Sequence, residues 1–386
     1  MAPLPKGFTG ITFNAGLKKH PQHDCLLVRS THKACSAAMF TQSLFAGPSV
    51  LISKNVPNRS DFQGLVVLSK NANVATGEVG EQDALSIRKT AARILELEEE
   101  QVLIASTGII GQPYPMKHLM NRLNPKTAAD LYPVTPLDAA ASIMTTDTRP
   151  KYYETQCSQA RIVGIAKGVG MIEPNMATML AFFFTDADLD KNALNAVFRR
   201  VVAKTFNATS IDSDTSTSDT AAIFSNGLAG KVSIPDFEHA LYECALALVK
   251  MITRDGEGAT KSLVVKISGA RDNDQAKRAA KAVVNSPLVK TAIHGADPNW
   301  GRIVMAIGKL EQDKDIQPQN VTISFGKEPV YPPKSETPHN QTQLKDYLQR
   351  EEIEINIGLG ICEGSYTAYG CDLSEGYIRI NADYTT

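Results

Sequence analysis

No Cys-x-x-Cys pair occurs among the six cysteines, Cys25, Cys35, Cys157, Cys244, Cys362 and Cys371, which argues against a zinc ribbon or a dithiol redox motif. The seven histidines form neither His-x-x-x-His nor His-Glu-x-x-His, the spacings that set two imidazoles on one helix face for a catalytic zinc. No Walker loop is present, so a P-loop kinase has no support. The formal net charge is only −1, which gives no electrostatic reason to expect a nucleic-acid or anionic-membrane partner. Apolar runs fall well short of the roughly 20 residues that span a bilayer. Met1 to Lys6 has no apolar signal core. These absences lead us to expect a cytoplasmic protein with free thiols, no metal and no cofactor.

What is present suits a large buried core: 386 residues, 43% hydrophobic and 21% charged, enough for two lobes. Residues 64–70 and 101–105 read as buried strands around a helix at 81–98. Its apolar positions Ala84, Leu85, Ile87, Ala91, Ala92, Ile94 and Leu95 recur at helical spacing. Further helices are expected at 115–122, 136–144, 190–205, 236–253 and 273–285. Strands are expected near 161–166, 262–268, 302–308, 320–325, 353–359 and 377–382. The segment 326–345 is the best loop candidate. Strands alternating with helices make an α/β protein.

The most informative stretch is Lys167-Gly168-Val169-Gly170-Met171-Ile172-Glu173-Pro174-Asn175-Met176-Ala177-Thr178, followed by the apolar run Met179 to Phe184. Thr178 stands after a Pro-Asn turn at the mouth of a buried strand, where a hydroxyl residue often does no more than start the strand. Were the Ala177–Thr178 bond cut, Thr178 would carry its hydroxyl beside its own α-amine. An α-amine titrates near about 7.7–8.0, so near neutral pH it can take the hydroxyl proton.

That segment resembles the self-cleavage site of the ornithine acetyltransferase family, N-terminal-nucleophile enzymes that exchange acetyl groups between N-acetylornithine and glutamate. Four further segments resemble the family in the same order. They are Ser106-Thr107-Gly108-Ile109-Ile110-Gly111, Met144-Thr145-Thr146-Asp147-Thr148, Asp255-Gly256-Glu257-Gly258-Ala259-Thr260-Lys261 and His294 to Arg302. The C-terminal Ile380-Asn381-Ala382-Asp383-Tyr384-Thr385-Thr386 matches as well. Glu173 replaces the histidine many members carry, and Ser69-Lys70-Asn71-Ala72-Asn73-Val74 also departs from the usual pattern. In these departures the chain is similar to members encoded with the clavulanic acid pathway, which leaves arginine biosynthesis and a clavulanate-type pathway both open.

The resemblance implies an αββα sandwich of the DmpA/ornithine acetyltransferase type with a smaller α/β C-terminal lobe. We expect a main catalytic domain over 1–260, a smaller lobe over 261–360, and a segment 361–386 returning to the active site. It implies cleavage between Ala177 and Thr178, α and β chains from one precursor in an α2β2 assembly, and the small-molecule substrates N-acetylornithine and glutamate. Thr178 would be nucleophile and, through its α-amine, base. Thr107 and Gly108 would form the oxyanion hole: a hydroxyl and an unobstructed N–H at a strand's end. A plain strand-to-loop turn is the other reading those two residues allow. Lys167 would bind a substrate carboxylate and Glu257 a substrate ammonium. Thr145, Thr178, Asn381 and Thr386 would complete the substrate contacts, with nothing local choosing Thr145 over Thr146.

Three weaker signals remain. Asp186-Ala187-Asp188-Leu189-Asp190 begins like an EF-hand loop but lacks its glycine and bidentate glutamate, so acidic capping of a helix is expected. Asp212, Asp214 and Asp219 lie among serines and threonines, which suits a hard-cation site or, preferably, a turn-forming loop near the active site. His294, in a Gly-rich loop, is expected to make structural hydrogen bonds. An amidohydrolase or aminopeptidase that gives the acyl group to water is the alternative chemistry. A non-catalytic amino-acid-binding protein that never cleaves is the alternative class.

Overall fold

In the computed structural model, residues 2–17, 22–173, 179–332 and 341–383 are described. The chain divides into two compact units, one from Met1–Asn207 with Thr215–Ile252, the other from Ala208–Asp214 with Thr253–Tyr384.

The first unit holds nine strands among the described residues: β1 (Phe8–Phe13), β2 (Cys25–Ser30), β3 (Cys35–Phe40), β4 (Gly64–Leu68), β5 (Val102–Ser106), β6 (Lys151–Cys157), β7 (Ala160–Lys167), β8 (Leu180–Asp188) and β9 (Thr220–Lys231). They form a four-stranded sheet ordered β1-β2-β4-β5 and a five-stranded sheet ordered β3-β9-β8-β7-β6. Its helices are α1 (Pro48–Lys54), α2 (Gly77–Leu95), α3 (Met116–Leu123), α4 (Pro136–Ser142), α5 (Lys191–Lys204) and α6 (Ile234–Arg254).

Alternation along the strands sets the layers. Leu65, Val67, Leu103 and Ala105 of one sheet share a core with Val163, Ile165, Phe182, Phe184, Ala222 and Phe224 of the other. Phe184 stacks on Phe224 at 5.6 Å and meets Phe8 edge-on at 5.3 Å. The intervening residues Val66, Leu68, Val102 and Ile104 pack instead on Ala84, Ile87, Ala91 and Leu119 of α2 and α3. On the outer face of the second sheet, Phe183 meets Phe198 of α5. A Cβ at Gly164 would come 2.9 Å from Cys244 Sγ of α6. The unit is therefore an αββα sandwich, and strands buried on both faces explain runs as apolar as Leu-Ala-Phe-Phe-Phe.

The second unit contains β10 (Ser262–Ala270), β11 (Thr322–Phe325), β12 (Glu328–Tyr331), β13 (Glu352–Gly358) and β14 (Gly364–Cys371), ordered β12-β11-β13-β10-β14. With them come α7 (Asn273–Val284), α8 (Pro287–His294), α9 (Trp300–Gly308), α10 (Gln341–Leu348) and α11 (Glu375–Asp383). Leu263, Val265, Ile267, Ile353, Ile355 and Ile357 face the helices. Between them Lys266 pairs with Glu354 at 2.6 Å on the other face, the alternation of a half-open sheet.

Three expectations are corrected. Residues 302–308 are helical, not a strand: Ile303, Ala306 and Ile307 are buried while Met305 is 43% exposed, a spacing of three and four that only a helix turns to one side. Residues 377–382 belong to helix α11, with Ile378 and Ile380 both exposed; the alternation there does not mark a buried face. The segment 326–345 holds β12 and the start of α10. In addition, α2 runs from Gly77 to Leu95 and stops at Glu96, which adopts a left-handed conformation. Asp190 caps α5 by accepting from the backbone of Asn192 and Ala193.

Candidate functional site

In the first unit, the end of β5 is fixed before it reaches the loop. Ser106 Oγ bonds Ser49 Oγ at 2.7 Å and also meets the buried Tyr114 hydroxyl, whose pKa burial pushes up to about 12. Thr107 N–H then donates to Leu68 C=O at 3.0 Å. Gly108 has φ +132°, and a Cβ there would stand 2.1 Å from the Lys70 carbonyl carbon. No other residue fits without moving the chain. The facing loop is itself strained, with positive φ at Lys70, Asn73 and Ala75. Gly108 thus brings its backbone against Lys70 while Thr107, 8% exposed, turns its hydroxyl to within 3.5 Å of Lys167 Nζ.

Lys167 ends β7, and the chain beyond it is held by Asp147. That carboxylate accepts from Gly168 N–H at 2.8 Å, from Thr145 N–H at 3.0 Å and from Lys151 Nζ at 2.7 Å, with both members of the ion pair buried. Burial raises the Asp147 pKa, but the charges of Lys167 and Lys151 and the Lys151 and Gly168 donors outweigh it and hold the group at about 2. Lys70 Nζ donates to the Thr145 carbonyl at 3.3 Å. One buried carboxylate therefore ties the Thr145 loop to the Lys167-Gly168 turn. Thr107, Lys167, Gly168, Gly170, Met179 and Asp219 line a single small pocket. Ala177 and Thr178 lie outside the described residues; Met179, one residue on, accepts from Thr220 N–H at 3.0 Å.

In the second unit, Glu257 sits in the turn after α6. Gly258 has φ +69°, and a Cβ would meet Tyr377 N at 2.2 Å, so the turn lies directly against α11. Asn381 Nδ2 donates to Glu257 Oε2 at 2.9 Å, and Tyr377 hydroxyl to Asp212 Oδ2 at 3.4 Å. Burial, then Asp212, Glu257 and Asp214, push the Tyr377 pKa up, the mark of a region with a negative potential. The turn's far side rests on Asp372, which accepts from Thr260 and Lys261 N–H groups at 2.8 and 3.0 Å and meets His294 Nδ1 at 2.8 Å. His294 is the last residue of α8, not a loop residue, and Asp372 gives it a structural partner. Thr386 lies outside the described residues.

The structure therefore brings Thr107, Gly108, Lys167 and the Thr145 loop together in one unit, and Glu257 with Asn381 in the other. Asp147, Lys151 and Lys70 were not singled out for the site by sequence reasoning; Asp219 was weighed only as a cation ligand or as part of a turn-forming loop near the active site. Asp147 carried a local signal as the acid in a run of threonines, and Asp219 as an acid among serines and threonines. Among the described residues, no group of three or more His, Cys, Asp or Glu side chains could hold a metal ion, and no helix is long and apolar enough to cross a membrane. All six cysteines are free thiols.

The chain matches the model of the ArgJ family over residues 10–386. It is 52% identical to a glutamate N-acetyltransferase, Oat2, of Streptomyces clavuligerus, with 99% of this chain and 98% of that one aligned. It is 49% identical to the arginine biosynthesis bifunctional protein ArgJ of Rhodococcoides fascians over 100% of this chain and 95% of that one. The crystal structure of arginine biosynthesis bifunctional protein ArgJ from Bacillus halodurans is 37% identical, covers 54% of this chain and 100% of its own, and superposes with a TM-score of 0.50. On a match of that extent and identity, the chain belongs to the ArgJ family.

Proposed function

We propose that this protein is an ornithine acetyltransferase that moves an acetyl group from N-acetylornithine to glutamate through a self-generated N-terminal threonine. The observation that supports it most is the convergence of Thr107, next to Gly108, and Lys167 on one pocket at the start of β8, the strand that follows Thr178 in sequence. Thr178 Oγ attacks the acetyl carbonyl while its α-amine takes the hydroxyl proton. Thr107 Oγ and Gly108 N–H stabilise the oxyanion. The tetrahedral intermediate expels ornithine, whose α-nitrogen receives the proton. Glutamate then attacks the acetyl ester through its amine, and Thr178 is regenerated.

Lys167 holds a substrate carboxylate, pre-oriented by the Thr107 hydroxyl and the Asp147 charge. Glu257, already a hydrogen-bond partner of Asn381, takes the side-chain ammonium of ornithine. Thr145 and Thr386 complete the substrate contacts.

Cleavage before Thr178 gives an α chain with β3, β6 and β7 and a β chain with β8 and β9. In their sheet the two β-chain strands lie between α-chain strands: β7 pairs with β8 from Ile162↔Thr185 to Lys167↔Leu180, and β3 with β9 from Cys35↔Ser225 to Phe40↔Thr220. A cut chain so interleaved stays associated. An α2β2 assembly in the cytoplasm, serving arginine biosynthesis or a clavulanate-type pathway, completes the proposal.

Assay of N-acetylornithine with and without glutamate tests the reading. Ornithine release that requires glutamate and yields N-acetylglutamate is expected; release at the same rate into water alone would make the protein a hydrolase. Two variants refine it. Thr107→Ala is expected to lower kcat by about 10²–10³-fold, the usual cost of one oxyanion donor, and unchanged kcat would remove Thr107 from the site. Glu257→Gln is expected to raise KM for N-acetylornithine about tenfold or more with kcat within about twofold, because a charge-assisted contact is lost from ground and transition states alike. A fall in kcat at constant KM would contradict that role.

A further inference from the structure

The α-amine of Thr178 can act as base only after the Ala177–Thr178 bond is cut; before that, the same nitrogen is an amide and accepts no proton. The self-cleavage step needs another group. We propose that Asp219 is the acid–base residue of self-cleavage, a role that rests on the self-processing reading above.

Four observations carry it. Asp219 is 2% exposed, yet its Oδ2 finds no hydrogen-bond partner among the described residues, an arrangement that a purely structural carboxyl avoids. It lines the same small pocket as Thr107, Lys167 and Met179. Its backbone is fixed: its carbonyl accepts from Thr41 N–H at 3.0 Å, and the next residue, Thr220, donates to Met179 C=O at 3.0 Å. The parallel register that sets Leu180 opposite Thr220 makes Asp219 the residue before β9 and Met179 the residue before β8. Thr178 is one peptide link further back.

The surroundings suit proton transfer. Burial raises the pKa of Asp219 well above the ordinary carboxylate range, opposed by the Ser216 hydroxyl and the Lys167 charge. In the proposed step Asp219 takes the Thr178 Oγ proton as Oγ attacks the Ala177 carbonyl carbon. The C–N bond to Thr178 breaks, Asp219 returns the proton to the departing nitrogen, and an ester joins Ala177 to Oγ. Water then hydrolyses that ester. The carboxyl ends as it began, and the new amine takes over as base for acetyl transfer.

The experiment follows cleavage of full-length Asp219→Asn and Asp219→Ala by intact mass over time, with melting temperature as the check on folding. Asp219→Asn is expected to fold as wild type and to cleave about 100-fold or more slowly. Formate is expected to accelerate cleavage of Asp219→Ala by replacing the missing carboxyl. Cleavage of Asp219→Asn at the wild-type rate would overturn the proposal. So would slow cleavage in a folded Asp219→Ala that formate leaves unchanged. An uncut wild-type protein would instead overturn self-processing itself.

Discussion

Thr178→Ala is expected to give a single uncut chain of 41.8 kDa with no measurable acetyl transfer. Both losses have one cause. The hydroxyl is the nucleophile that breaks the Ala177–Thr178 bond, and the same oxygen carries the acetyl group afterwards. No other hydroxyl can inherit the role, because only the residue after the cut brings a free α-amine with it. Thr178→Ser tests the contribution of the methyl group. It is expected to cleave and to turn over more slowly, since serine lacks the branched Cβ that narrows χ1 and aims the hydroxyl. Intact mass and the glutamate-dependent assay read both variants; residual transfer by an uncut Thr178→Ala protein would place the nucleophile elsewhere.

Asp147→Asn is expected to be the most damaging change that touches no substrate atom. Lys151 is 1% exposed and its partner carboxylate is fully buried. Removing one member of such a pair strands the other charge, a loss of about 3–5 kcal/mol. The variant should therefore melt well below wild type. It should also bind substrate more weakly, because Gly168 and the Thr145 loop lose their common anchor. The pH dependence has a definite sign. The folded carboxyl titrates near about 2, below the unfolded value of about 3.9, so ionised Asp147 contributes about 2–3 kcal/mol above the unfolded value. That contribution disappears as pH falls from about 4 towards 2. Thermal unfolding of both proteins across this range checks it: the difference in melting temperature should shrink on acidification, and a constant difference would contradict the assignment.

The sequence was most legible where one physical rule acted alone. Ile87, Ala91, Ile94 and Leu95 announced α2 by period, and Val66 to Leu68 announced a strand buried on both faces by unbroken apolarity. It misled where two rules share a pattern: Ile303 to Ile307 is apolar enough for either element, and only the exposure of Met305 separates them. Alternating Ile378 and Ile380 imitate a strand on a helix that leaves both exposed. Several strands went unread, among them β1, β2 and β3; β3 is held by β9, nearly two hundred residues on, a partner that no local window shows. The site followed the same division. Family motifs drew attention to Thr107, Gly108, Lys167 and Glu257 by residue type and order. Asp147 as an anchor and Asp219 as a buried acid with one oxygen unpaired among the described residues depend on burial and on pairings across the fold, which no local pattern encodes.

One measurement tests the account most directly: intact-mass spectrometry of the wild-type protein mixed with N-acetylornithine, before and after glutamate is added. The account predicts two chains, the second beginning at Thr178 and heavier by one acetyl group until glutamate removes it. A single uncut chain that still transfers acetyl, or a chain beginning at Thr178 that never carries the acetyl group, would contradict it.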